Sequence, residues 1–317
     1  MAVAPNLSWL LLGRVISGIT SSSYPTAAAY VADVTPPESR SAAFGKVGAA
    51  WGVGFILGPA LGGFLGGVNP RLPFWFAAAL SLISASYGLI VLPESLSNEV
   101  RKTFSWRRAN PLGSLKLLRS RSGLLGLASV TFLQFLAFQV LPTVFVIYAR
   151  YRYGWDFFTT GLALTLVGFC NIIIQGLLVR PFISRFGERN ALYTGLLFGA
   201  VGFLAWGLAA NSIAFIIAIP VFAPIGFAGP ALQSLMTREV DASDQGQLQG
   251  ANNSISGLTS IVGPLMFAFV FAEFIRPTVS ANLAGAPFFL ATSLMLAAAA
   301  LAVFVARRNV EKPPSVR

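Results

Sequence analysis

Apolar stretches long enough to cross a bilayer recur from one end of the chain to the other, and no feature limits its folding more. Nine spans are expected, near residues 7–33, 43–67, 73–92, 123–148, 157–178, 191–209, 212–234, 249–272 and 286–306. Within a hydrocarbon layer about 30 Å thick a backbone must satisfy its own polar groups, so each span is expected to be an α-helix. A soluble domain is excluded, because 55% of the residues are hydrophobic, only 10% are charged and the mean hydropathy is +0.72. The expected fold class is therefore an all-α polytopic membrane protein.

A net charge of +11 could point to nucleic acid, but the placement of the charge argues against it. Apart from Arg14, every basic residue lies in a loop or at a span end. Assigned to membrane sides, 17 of the 22 fall together, including the seven in 101–121, Arg180, Arg185, Arg189, Arg238 and the four of the tail. Arg71, Arg150, Arg152 and Arg276 fall on the opposite side. The positive-inside rule then puts the 93–122 loop and the C-terminus in the cytoplasm.

Several chemistries lack their residues. The chain has no histidine and one cysteine, Cys170, inside a span, which leaves no disulfide framework, imidazole metal site or Ser-His-Asp triad. No phosphate-cradling loop ending in Gly-Lys-Ser/Thr occurs, and no cluster of nucleophiles, acids or metal ligands is visible. Neither an enzyme, a cofactor nor a metal is expected.

Glycine is the next informative residue. Gly45, Gly54, Gly58, Pro59, Gly62 and Gly63 form one motif inside the second span, although each helical glycine costs about 1 kcal/mol relative to alanine. Gly54, Gly58 and Gly62 recur at i, i+4, which would let another helix backbone approach along one face, and Pro59 would kink the helix beside it. A shift of about 205 residues aligns Pro25 with Pro230, Gly45 with Gly250, Gly58 and Pro59 with Gly263 and Pro264, and Phe64 with Phe269. The matched residues are those that set helix shape. An internal duplication predicts six spans per unit and roughly 410 residues for two units, so the 317 residues hold nine spans of twelve, with Met1 on the outer side. The expected divisions are 1–92 for three helices of the first half, 93–122 for a cytoplasmic basic linker, 123–306 for the second half and 307–317 for a cytoplasmic tail.

Polar residues inside spans are the candidates for function. Arg14 is a charge well inside the first span, and it either faces a cavity or an ion partner, or snorkels to the surface. Gln134, Gln139, Asn171, Gln175, Gln233, Asn252 and Asn253 are amides that must meet another helix or water. Gln139, Asn171 and Gln175 lie nearest mid-depth, where carriers bind substrate. Phe132, Phe135 and Trp206 could flank a planar ligand or face lipid.

The glycine motif resembles the fifth-span signature of major facilitator superfamily antiporters. From Gly13-Arg14 to Leu301 the chain resembles bacterial drug:proton antiporters of the tetracycline efflux family, on Gly13-Arg14 through Gly18, Leu92-Pro93-Glu94-Ser95, Gly187-Glu188-Arg189, Pro230 through Gln233, and Gln245 through Gly250 leading to Gly263-Pro264. The resemblance implies a multi-pass protein of the bacterial inner (plasma) membrane that exports a drug in exchange for protons, with the first three helices absent from this sequence. It implies that Arg14 takes part in proton movement and that Asp33 latches a gate, a solvated helix-end carboxylate being the alternative for Asp33. Arg180, Arg185, Gly187 and Arg189 resemble a degenerate second copy of the family's basic loop, with Ser184 in place of its aspartate. Gln139, Asn171, Gln175 and Gln233 would line the substrate cavity.

The departures concern chemistry. Where tetracycline pumps carry a mid-span carboxylate this chain has Phe198-Gly199-Ala200, and a histidine of some members is Asn171. With nine spans the first-half wall stays open, so the chain on its own is expected to be impaired in transport. Alternatives are a major facilitator carrier for a metabolite or sugar, and a remnant that does not transport.

Overall fold

A computed structural model describes residues 1–20, 26–27, 30–31, 34–36, 40–95, 118, 122–240, 245–276 and 284–310. Asp33, most of the basic linker and the end of the tail lie outside the described residues. Every regular element among the described residues is helical. In order these are α1 (Leu7–Ile19), α2 (Arg40–Val68), α3 (Leu72–Val91), α4 (Ser122–Phe138), α5 (Val146–Tyr153), α6 (Phe157–Ile172), α7 (Val179–Leu208), α8 (Ser212–Phe222), α9 (Ala228–Arg238), α10 (Gln245–Phe274) and α11 (Ala286–Val310).

Six stretches among the described residues are long and apolar enough to cross a membrane, against the nine expected. The difference has two sources. Phe157–Leu208 runs for 52 residues, about 78 Å at 1.5 Å per residue, which accommodates both crossings expected at 157–178 and 191–209. Within it Gly187 adopts φ 81° and ψ 164°, a conformation reserved for glycine, and supplies the turn between them. Leu7–Ile19 and Gly52–Val68 are apolar but shorter, and part of the first expected span falls outside the described residues.

Polar caps start the helices and prolines reshape them. Asn6 and Asn211 accept from the backbone N–H groups of Trp9 (3.2 Å) and Ala214 (2.9 Å). Asp156 accepts from Thr159 N at 2.8 Å at the head of α6, and its hydrogen bonds to Thr159 hold its carboxyl below the usual range. Gly154, at φ 68°, closes α5. Pro142 lies in a π turn, Leu141–Phe145, that joins α4 to α5, and Pro224 lies in a 3₁₀ turn, Ala223–Phe227, that joins α8 to α9. A proline lacks the N–H that would continue the α ladder, which accounts for altered hydrogen bonding at both places.

The chain forms two compact units, Met1–Phe104 with Asp156–Gly168, and Ser105–Trp155 with Phe169–Arg317. In the first, α2 meets α6 backbone to backbone. A Cβ built on Gly63 would lie 2.8 Å from Gly161 Cα, and one built on Gly161 would lie 2.7 Å from the Pro59 carbonyl oxygen. At Gly54, Gly58 and Gly62 no described atom outside the helix's own backbone lies within 4 Å of a built Cβ, so among the described residues the close approach in this helix is made by Gly63, one position on from the expected face. Arg71 donates to the carbonyl of Ala4 at 3.2 Å, which ties the start of α3 to the N-terminal segment.

The core of the second unit is aromatic. Phe145, Tyr148, Phe203, Trp206, Phe215 and Phe288 are fully buried and in mutual ring contact. Along α7, Gly195, Gly199 and Gly202 present a glycine face on which residues 222–228 sit, with built Cβ atoms 2.7 Å from Ala228 N, 2.8 Å from Ile225 Cδ1 and 2.5 Å from Phe222 Cβ.

Candidate functional site

Charged groups are scarce in the second unit's spans, so amides carry its polar chemistry, and they gather in three places. Gln175 donates to Asn171 Oδ1 at 2.6 Å where α6 passes into a π turn, Ile173–Leu178. Such turns inside α-helices break the regular ladder and recur at functional sites. Gln175 is exposed, and the close approach of Gly226 to Ile174 and to Gln175 Cγ sets the π turn against the 3₁₀ turn.

Gln139 forms the second place. Its Nε2 donates to Ser260 Oγ at 2.9 Å, and a Cβ on Gly263 would lie 2.5 Å from Gln139 Cβ. The repeat glycine Gly263 therefore makes room for the α4 segment, with Pro264 continuing inside α10. The third is Gln233, whose Oε1 accepts from Asn252 Nδ2 at 3.0 Å, beside Thr131, Gln134 and Ser256. The four expected cavity residues are thus divided among three hydrogen-bonded groups rather than joined in one.

Trp206 is not a ligand platform. Its ring is fully buried among Phe145, Phe203, Phe222 and Phe288, and its N–H donates to Phe215 O at 3.0 Å. Phe135, by contrast, does line a cavity. Phe198, Gly199 and Ala200 serve packing where the family places a carboxylate: Gly199 admits Ile225, and Ala200 is buried.

In the basic loop, Arg180, Arg185 and Arg189 are exposed, and Arg185 lies over the ring of Phe186 at 5.6 Å. Glu188, which the sequence offers only as part of the Gly187-Glu188-Arg189 match, has partners that the sequence does not reveal. It accepts from Ser234 Oγ at 2.5 Å and from Arg238 at 2.6 Å, joining the start of the second crossing to the end of α9. The glutamate side chain is 11% exposed and the arginine 71%, so solvent screens most of the attraction. Glu188→Gln is expected to lower stability by only about 1 kcal/mol, seen as a small fall in the thermal unfolding midpoint in detergent. A fall as large as that of a core mutation would contradict this assignment.

In the first unit, Arg14 lies within α1, is exposed and has no carboxylate partner among the described residues. Gly45 lies in α2. Asp33 falls outside the described residues.

Comparison with known proteins supplies the family. Residues 1–264 match the Major Facilitator Superfamily. The tetracycline resistance protein of class C from Escherichia coli is 36% identical over 273 residues, which cover 86% of this chain and 68% of that protein. Multidrug resistance protein 2 of Bacillus subtilis is 29% identical over 84% of this chain and 67% of its own length. Among solved structures, the human organic anion transporter MFSD10 superposes with a TM-score of 0.68 at 25% identity, covering 95% of this chain and 72% of that one. A bacterial homologue of the lysosomal transporter Spinster gives a TM-score of 0.69 at 16% identity over 99% of this chain and 81% of its own, a likeness of fold alone. With this match, its helical architecture and its tetracycline-efflux relatives, the chain belongs to the Major Facilitator Superfamily, as a tetracycline-efflux-like transporter and not an enzyme.

Proposed function

We propose that this transporter exports a planar, amphipathic drug of the tetracycline type in exchange for protons, by alternating access between the two sides of the bacterial inner membrane. The observation that carries the reading is the Asn171–Gln175 pair, an exposed amide at an irregular turn within an otherwise apolar crossing. An amide placed in lipid is costly, so this one is matched to a polar cavity or ligand. Kinship with tetracycline resistance proteins supports the choice of ligand. Gln139 and Gln233 form further parts of the wall, while Gly63 and Gly263 allow close helix contacts. Arg14 and Asp33 act in proton coupling and gating. Arg180, Arg185, Gly187 and Arg189 shape the cytoplasmic loop, and the C-terminus is cytoplasmic.

The test uses everted vesicles, in which export appears as uptake. This chain, joined to the segment of the class C protein that lies beyond their aligned region, is expected to accumulate tetracycline when the lumen is acidified and to stop when an uncoupler is added. Gln175→Ala in the joined protein should cut uptake at least tenfold, about 1.4 kcal/mol of lost interaction. Equal uptake by Gln175→Ala, or none by the joined protein, would overturn the proposal.

A further inference from the structure

The third amide group surrounds a cavity of about 270 Å³ within the second unit, between α4, α9 and α10. Thr131, Gln134, Phe135, Gln233, Asn252 and Asn253 are among its lining residues, and every polar group there is a neutral amide or hydroxyl. Two polar atoms are left over. Gln134 Oε1 and Asn252 Oδ1 are buried and find no hydrogen-bond partner among the described residues. The Gln134 residue is 6% exposed. Buried amide oxygens in native proteins are nearly always satisfied, so two of them on one cavity call for an explanation.

The other contacts narrow the chemistry. Asn252 spends its N–H on Gln233 Oε1, and if the two amides exchange donor and acceptor, one carbonyl oxygen of the pair is still left unpartnered. The Thr131 hydroxyl donates to Leu127 O at 3.0 Å. The last torsion of a glutamine side chain is broad and roughly two-fold, so half a turn at Gln134 presents either its oxygen or its NH₂ group to the cavity. A group that offers an N–H beside a carbonyl matches this wall in both settings. An anion would find no cation among the lining residues and only neutral N–H and O–H groups to replace its hydration, and a cation would find no carboxylate. Phe135, Leu232 and Met236 supply an apolar, polarisable surface for the body that carries the group.

We propose that this cavity binds a neutral carboxamide on an apolar body, with Gln134 and the Asn252–Gln233 pair as its hydrogen-bond partners. The site deepens the transport reading and rests on it for its purpose, but it is tested by binding alone. Intact uptake with failed binding would remove the site, and intact binding with failed uptake would remove the transport reading.

Benzamide is the probe and benzoate its anionic counterpart of the same shape, each titrated to its solubility limit against the whole chain in lipid nanodiscs. Benzamide is expected to bind saturably and benzoate at least tenfold more weakly. Gln134→Leu and Asn252→Leu are each expected to weaken benzamide at least tenfold, and Gln134→Met repeats the first with an unbranched side chain should the leucine variant not fold. Absence of benzamide binding, equal binding of benzoate, or variants that bind like the parent would overturn the proposal, the last by showing that the two amides serve only water or packing.

Discussion

Trp206→Ala is expected to cost about 3 kcal/mol of stability, a large share of the roughly 5–15 kcal/mol that native domains possess. The side chain is fully buried, with ring centroids at 4.7 Å from Phe222 and 5.6 Å, edge-on, from Phe145. In water, truncating a buried tryptophan costs about 3–5 kcal/mol, the sum of a transfer term and a cavity term. Within lipid the transfer term shrinks, because acyl chains are as apolar as the protein, and the lost van der Waals contacts dominate. That places the expectation at the lower end of the range. Trp206→Phe keeps most of the ring contacts and loses the hydrogen bond to Phe215 O, so about 1 kcal/mol is expected. Denaturant unfolding in mild detergent, followed for both variants, gives the comparison. A change below 1 kcal/mol for the alanine variant would mean that this cluster does not anchor the second unit.

The same tryptophan marks a limit of sequence reading. Its composition and position allow a ring that flanks a ligand, faces lipid or fills a core, and only the packing of Phe145, Phe215 and Phe288 around it decides. The helical class and the apolar crossings were legible because hydropathy and the backbone's need for internal hydrogen bonds act on every residue of a span. The turn at Gly187 was legible because glycine alone tolerates its φ of 81°. The π turns were not, since hydropathy does not register how a ladder is bonded. Glu188 and Arg238 stand 50 residues apart, and neither spacing nor charge pattern announces that they meet. Gly195, Gly199 and Gly202 are legible by spacing as a small-residue face, but Gly199 drew notice for the carboxylate it replaces rather than for the room it gives Ile225. Of the amides, sequence identifies the candidates, and their division into three groups follows from the helix registers, with Gly263 at the Gln139 crossing.

Gly161→Val is expected to be the most damaging single change in the first unit, while Gly62→Ala is expected to be tolerated. A β-carbon at 161 would come within 2.7 Å of the Pro59 carbonyl oxygen and 2.8 Å of Gly63 Cα. Both neighbours are backbone, so no rotamer change relieves the overlap and the two helices must separate. Overpacking of this kind costs typically 1–3 kcal/mol in soluble cores, and two rigid backbones put the expectation at about 3 kcal/mol. Gly63→Val should match it, since its β-carbon would lie 2.8 Å from both Gly161 Cα and Phe157 O. At Gly62 no described atom lies within 4 Å of the added carbon, and alanine gains up to about 1 kcal/mol of helix propensity. The yield of monodisperse protein and the unfolding midpoint are therefore expected to fall for the two valine variants and to hold or rise for Gly62→Ala. The opposite order would return the contact to the i, i+4 face of Gly54, Gly58 and Gly62, because that face and Gly63 point in directions about 100° apart on a helix of 3.6 residues per turn.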